Sequence, residues 1–358
     1  MDILSSSTSP LFVLLQLVLL ITSDILSAEG KTANGKIPAI YVIGDSIVDS
    51  GNNNDLITLV KCNFPPYGKD FKGHKPTGRF CNGKIGTDYI ASGLGVKELL
   101  PAYLDPNVQI QDLITGVSFA SGGSGFDDFT PQFLRAIPLG QQVEFLKECF
   151  GKVERAAGRE RADYIKSNGF FFVVAGSNDL VNNYFALPTR RAQMPLDQYL
   201  HTLVQKASNI VQKLYKIGGR RIYVLGLPPL GCVPIQRTLR GGAARKCVEE
   251  VNQASIAFNA KLSTQLHSLA LTLPNATVIY VEIFDILLDM IQNPSRYGFE
   301  ESRYGCCGTG GLETAVLCNS VTSSTCRDAS KYVFWDSFHP TERASSILAS
   351  QLLHKYFP

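Results

Sequence analysis

A chain of 358 residues, 45% hydrophobic and 18% charged, can bury a full core without a metal or partner, which excludes a disordered or collagen-like polymer. The 31 Gly and 18 Pro are spread along it without a repeat period, so neither a linker nor a solenoid is indicated. The formal net charge of +3 is scattered, with no block of like charge to neutralise a row of phosphates, and nucleic acid is excluded as a partner.

In chain order, Leu11 to Ile21 is nearly unbroken hydrocarbon, too short for the roughly 20 residues that cross a bilayer as a helix. It reads as the core of a secretory signal peptide, residues 1–28, cut after Ala28. Residues 29–358 are then one domain with no integral membrane span, secreted into the extracellular (cell wall) space. Short apolar runs at Ala39 to Ile43, Val117 to Ala120, Phe170 to Ala175, Ile222 to Leu225 and Thr277 to Val281 predict buried strands. Helical periodicity predicts helices at Gln142 to Ile165, Leu196 to Ile217, Val248 to Leu271, Asp285 to Ile291 and Glu342 to Leu353. The alternation argues a three-layer α/β fold, a parallel sheet flanked by helices. The mixed charges of Lys152 to Lys166 are the pattern of a solvated helix face.

Nine cysteines lie beyond the cut, in a compartment where disulfides persist. Cys62 and Cys81 bracket one loop, Cys232 and Cys247 another, and Cys306, Cys307, Cys318 and Cys326 crowd a Gly-rich segment. Loop staples are expected, with connectivity open and Cys149 free. Zinc is not supported, since no Cys-x-x-Cys or His-x-x-x-His stands near these positions. Asn275-Ala276-Thr277 is the glycosylation sequon.

Loops leaving the carboxyl ends of parallel strands gather at one edge and form the ligand crevice. Three are short, polar and glycine-containing: Gly44-Asp45-Ser46-Ile47, Ser121 to Gly125 and Gly176-Ser177-Asn178-Asp179. Ser46, directly after a strand, is the candidate nucleophile. A serine hydroxyl needs a base, and His339 is chosen from the five histidines because Asp336 stands one turn before it and Pro340 after it. Asp336 orients the ring and His339 takes the proton. The Ser46 amide, a glycine amide from Ser121 to Gly125, with Gly122 preferred, and the Asn178 side chain are candidate oxyanion donors. An α/β-hydrolase elbow, Gly-x-Ser-x-Gly, does not occur.

These blocks, with Gly116 to Gly125, Asp336-Ser337-Phe338-His339-Pro340 and the secondary motifs Asn63 to Gly68, Pro76 to Phe80, Leu227 to Cys232 and Tyr304 to Gly310, resemble the plant secreted branch of the GDSL-type (SGNH) esterase/lipase family. The resemblance covers nearly the whole chain beyond the signal peptide. It implies a flavodoxin-like SGNH hydrolase fold and a Ser46–His339–Asp336 acyl-enzyme mechanism. It assigns Ser46, Gly122 and Asn178 to the oxyanion hole. Ile47 stands where the name-giving motif has leucine, and Ser118 where the second block often has asparagine. The expected activity is hydrolysis of carboxylic esters by a monomer without a cofactor, on an ester-bearing small molecule, a lipid or an acylated polysaccharide. Acyl transfer to an alcohol or sugar is the alternative, and a non-catalytic lipid- or carbohydrate-binding protein the reading from another class.

Overall fold

The structure, a computed structural model, describes residues 37–308, 318, 319, 321 and 324–357. The signal peptide expected at residues 1–28 and two residues of the last secondary motif, Thr309 and Gly310, lie outside the described residues.

Apolar residues on both faces of a strand demand cover on both sides. The strands β1 (Ile40–Gly44), β2 (Phe170–Val174), β3 (Arg221–Leu225) and β4 (Thr277–Val281) meet that demand as a parallel sheet in the order β1-β2-β3-β4. Successive side chains alternate between two cores. Tyr41, Ile43, Phe171, Val173, Ile222 and Val224 face one core, while Ile40, Val42, Phe170, Phe172, Val174 and Tyr223 face the other.

The first core is closed by α2 (Leu139–Ala157), α3 (Leu196–Ile217) and α4 (Glu249–Ala270), and the second by α1 (Gly86–Gly93) and α5 (Glu342–Tyr356). In α3 the buried positions Tyr199, Leu200, Leu203, Val204, Ala207, Val211 and Leu214 recur every three or four residues and form one stripe. Gly218 ends that helix at φ 115°, and its amide bonds back to Tyr215 O. The helix expected over Gln142 to Ile165 is two, because Gly158 at φ 83° separates α2 from a second helix over Arg159–Asn168.

The strand expected at Val117 to Ala120 is only partly formed. It runs beside β1: Val42 N donates to Val117 O at 3.2 Å, Phe119 N to Val42 O at 2.7 Å, and Ser121 N to Gly44 O at 3.0 Å. Its outer edge has no continuous neighbour. There the backbone at Pro101 and Tyr103 bridges Ser118 alone, and the Asn52 Nδ2 group donates to Ser118 O and Ala120 O, so a side chain supplements a one-residue bridge. Counted with this segment, the spatial order is that of a flavodoxin-like sheet, with its switch point between β1 and β2.

Disulfides join Cys232 to Cys247, Cys306 to Cys326 and Cys307 to Cys318. Cys62 and Cys81 do not pair, which corrects the expectation of a staple there. Their side chains have separate partners: the Cys81 thiol donates to Lys84 O and Pro340 O at 3.5 Å, whereas Cys62 packs beside Tyr67. Cys149 is unpaired and buried within α2, as expected. Among the described residues, no helix is long and apolar enough to cross a membrane, and no group of three metal-ligating side chains is assembled.

Candidate active site

The backbone of β1 stops at Gly44, where three loops are laced together. Asp45 N donates to Val174 O at 2.9 Å, tying the end of β1 to the end of β2. Ser121 N donates to Gly44 O, tying in the second loop. Gln142, buried on α2, accepts from Gly44 N at 2.8 Å through Oε1 and donates to Gly44 O at 2.9 Å through Nε2. The chain then turns, with Val48 N donating to Asp45 O at 3.2 Å and Ile47 N to Asp45 Oδ1 at 3.1 Å. Ser46 sits on this turn.

Its hydroxyl lies 2.7 Å from His339 Nε2. The other ring nitrogen, Nδ1, lies 2.9 Å from Asp336 Oδ1 and 2.8 Å from Oδ2. A carboxylate can only accept, so Nδ1 carries the proton and Nε2 is left as the acceptor for the serine hydroxyl. The other four histidines, His74, His201, His267 and His354, are exposed.

The loop that carries this pair is built around Asp336. Its Oδ1 accepts from the amides of Phe338 and His339, both at 2.8 Å, and Trp335 N closes the turn on His339 O at 2.7 Å. Thr341 then caps α5, its hydroxyl accepting from Ala344 N at 3.2 Å. Burial drives the Asp336 carboxyl upward, but the charge and ring N–H of His339 and the two amides outweigh it and hold the group below the usual carboxylate range. Burial raises Asp45, next to the serine, to about 7 against the pull of the Ile47 amide and His339.

Of the expected oxyanion donors, the Ser46 amide has no hydrogen-bond acceptor among the described residues. Asn178 donates one amide proton to Ser124 O at 2.8 Å and accepts at Oδ1 from Asn182 Nδ2 at 2.9 Å, which fixes the side chain and leaves its second proton unused. Gly122 is a correction. Its single amide proton is given to Asp49 Oδ2 at 2.9 Å inside the protein and is not available to a substrate. The next amide, that of Gly123, has no acceptor among the described residues. Gly123 adopts φ 88°, and a Cβ there would come within 2.9 Å of Leu134 Cδ1, so the turn requires glycine.

Three supporting groups escaped the sequence reading. Asp49 accepts from Gly51 N and Asn52 N as well as Gly122 N, and burial raises its carboxyl to about 6. Asp179 accepts from Phe126 N, Asp127 N and the Thr130 hydroxyl, anchoring the second loop to the third, and burial raises it to about 7. Tyr67 donates its hydroxyl to Asp336 Oδ2 at 2.7 Å. An Asp in a turn and a Tyr in a Pro/Gly loop carry no local signal of such distant partners.

The remaining site expectation, Asn275, lies exposed at φ 58° in the turn before β4.

Comparison with known proteins adds to this geometry. The family described as GDSL-like Lipase/Acylhydrolase matches residues 40–352. The chain is 51% identical over 320 residues to the GDSL esterase/lipase EXL3 of Arabidopsis thaliana, covering 89% of this chain and 88% of the relative. It is 46% identical over 366 residues to the GDSL esterase/lipase EXL2 of the same plant, covering 98% and 97%. Among solved structures, phospholipase A1 from Streptomyces albidoflavus NA297 is 13% identical, with 89% and 98% of the two chains covered and a TM-score of 0.38.

Proposed function

Because the chain belongs to the GDSL-like lipase/acylhydrolase family, we propose that Ser46, His339 and Asp336 are the catalytic residues of its carboxylic ester hydrolysis. The protein is a serine esterase/lipase. The observation that carries the residue assignment is the ring of His339, bonded on one side to Ser46 and on the other to Asp336.

Attack by Ser46 Oγ on the ester carbonyl sends its proton to His339 Nε2, and Asp336 stabilises the imidazolium that results. The tetrahedral oxygen takes hydrogen bonds from the Ser46 amide and the unused Asn178 proton. The Gly123 amide replaces Gly122 as the third donor, since the Gly122 proton is committed to Asp49. His339 then protonates the departing alkoxide, leaving an acyl-serine. Water opens this intermediate with the same base, and the serine is released.

The substrate is an ester-bearing small molecule, a lipid or an acylated polysaccharide, and the enzyme acts as a monomer. Secretion is supported by the apolar stretch at Leu11 to Ile21 and by three disulfides. Asn275, exposed in a turn, is the proposed glycan acceptor.

The test is Ser46→Ala. The variant should retain the native fold, lose release of p-nitrophenol from short acyl esters, and fail to react with a fluorophosphonate probe that labels the wild type. Wild-type turnover by the variant, or an unlabelled wild type, overturns the assignment.

A further inference from the structure

We propose that Tyr67 is a positioning residue that sets the proton affinity of the Asp336–His339 pair by donating a hydrogen bond to the carboxylate. The inference rests on the assignment of Ser46, His339 and Asp336 above and extends it to a loop 269 positions away from Asp336.

Asp336 is fully buried and accepts four kinds of proton: the amides of Phe338 and His339 at Oδ1, the His339 ring N–H between its two oxygens, and the Tyr67 hydroxyl at Oδ2, 2.7 Å away. The first three come from its own loop. Only the tyrosine comes from elsewhere in the fold, and it competes with the imidazole for the same oxygen. A stronger tyrosine donor withdraws charge from Oδ2 and weakens its hold on the imidazolium, whereas losing the donor leaves that charge to the ring alone.

Packing holds the hydroxyl in place. The Tyr67 ring lies edge-on to Phe64 at 5.6 Å, to Phe80 at 6.4 Å and to Trp335 at 6.1 Å, while Phe80 also lies 5.1 Å from the His339 ring. One aromatic box thus fixes both the donor and the base. The phenol is buried, and burial with the neighbouring Asp336 charge holds its proton on, so it stays a donor across the working pH range.

Three other ionisable groups face the pair: Asp45 on the Ser46 turn, and Cys62 and Cys81 at the two ends of the Tyr67 loop. Burial keeps both thiols protonated. Asp45 titrates near 7 and is therefore a control.

The test compares pH profiles of kcat/KM for wild type, Tyr67→Phe and protein carrying 3-fluorotyrosine at position 67, with p-nitrophenyl butyrate as substrate. In Tyr67→Phe the uncompensated carboxylate favours the imidazolium, so the acid limb moves to higher pH by about half a unit or more. The fluorinated ring, a stronger donor of nearly the same shape, moves the limb to lower pH, and it decides the matter alone if Tyr67→Phe does not fold. The same shift between Asp45→Asn and Asp45→Asn/Tyr67→Phe excludes Asp45 as its source. A limb that stays fixed in both position-67 variants, whatever the overall rate, overturns the proposal. Fluorophosphonate labelling of the wild type is measured in parallel, so failure of the Ser46 assignment is seen separately.

Discussion

Asp49 holds the amide of Gly122 at 2.9 Å, whereas the next amide of that turn, Gly123 N, has no acceptor among the described residues. The carboxylate also takes the amides of Gly51 and Asn52. It therefore organises the stretch after the nucleophile and the turn facing it at once. Asp49→Ala leaves three buried N–H groups without a partner. The expected loss is roughly 2–4 kcal/mol in urea unfolding, with activity falling further than the folded fraction because the Gly122–Gly123 turn is released. An unchanged unfolding midpoint contradicts this role.

Asn178 offers its second amide proton only because the first is held by Ser124 O. Asn178→Ala removes the proposed donor to the developing oxyanion, and kcat should fall roughly 10²- to 10³-fold with KM little changed. Steady-state kinetics on a soluble ester checks it; a rise in KM alone would assign the residue to substrate binding.

Stability should depend on pH in an uncommon direction. Asp45, Asp49 and Asp179 have carboxyls raised by burial to about 7, 6 and 7. A raised value means that the folded protein holds the proton more tightly than the unfolded chain. Their contribution is thus full below about 4, where the unfolded groups titrate, and is lost as pH climbs through 6 to 7. Asp336, held low, works the other way, and its stabilisation disappears only as pH falls below the ordinary carboxylate range. The urea midpoint should therefore be higher near pH 5 than at pH 8; the reverse order would show that these three groups are charged in the native state.

The cysteine inventory predicts a labelling pattern. Iodoacetamide should leave the native protein unmodified and, after unfolding without reductant, modify Cys62, Cys81 and Cys149, all of them buried. Peptide mapping checks this, and alkylation of Cys232 or Cys247 would remove that bridge. Breaking it by Cys247→Ser should cost about 3 kcal/mol, the chain-entropy value for closing a loop of that size.

Much of the fold and the central pair was legible because the signals are local. Four strands announce themselves as mostly apolar runs of four to six residues, and Asp336 and His339 stand one turn apart. Ser46 follows from its place at a strand end. What stayed hidden is long-range: Asp49 is one of many turn aspartates until Gly122 is brought against it, and Tyr67 is one of 14 tyrosines until its loop folds over Asp336. Val117 to Ala120 reads as a full strand since its composition suits one, yet on its outer edge it meets another backbone only at Ser118, and Asn52 fills the rest. Cys62 and Cys81 bracket a loop in sequence, but bracketing does not bring two thiols face to face.

The side chain of Gln142 presents a donor and an acceptor to Gly44 in the arrangement of a peptide unit. It shares Gly44 O with Ser121 N and also donates to the Ser124 hydroxyl at 3.2 Å, so one helix side chain ties the end of β1 to the second loop. The turn that carries Ser46 therefore leaves the sheet from a residue clamped by a helix as well as by its neighbouring strands.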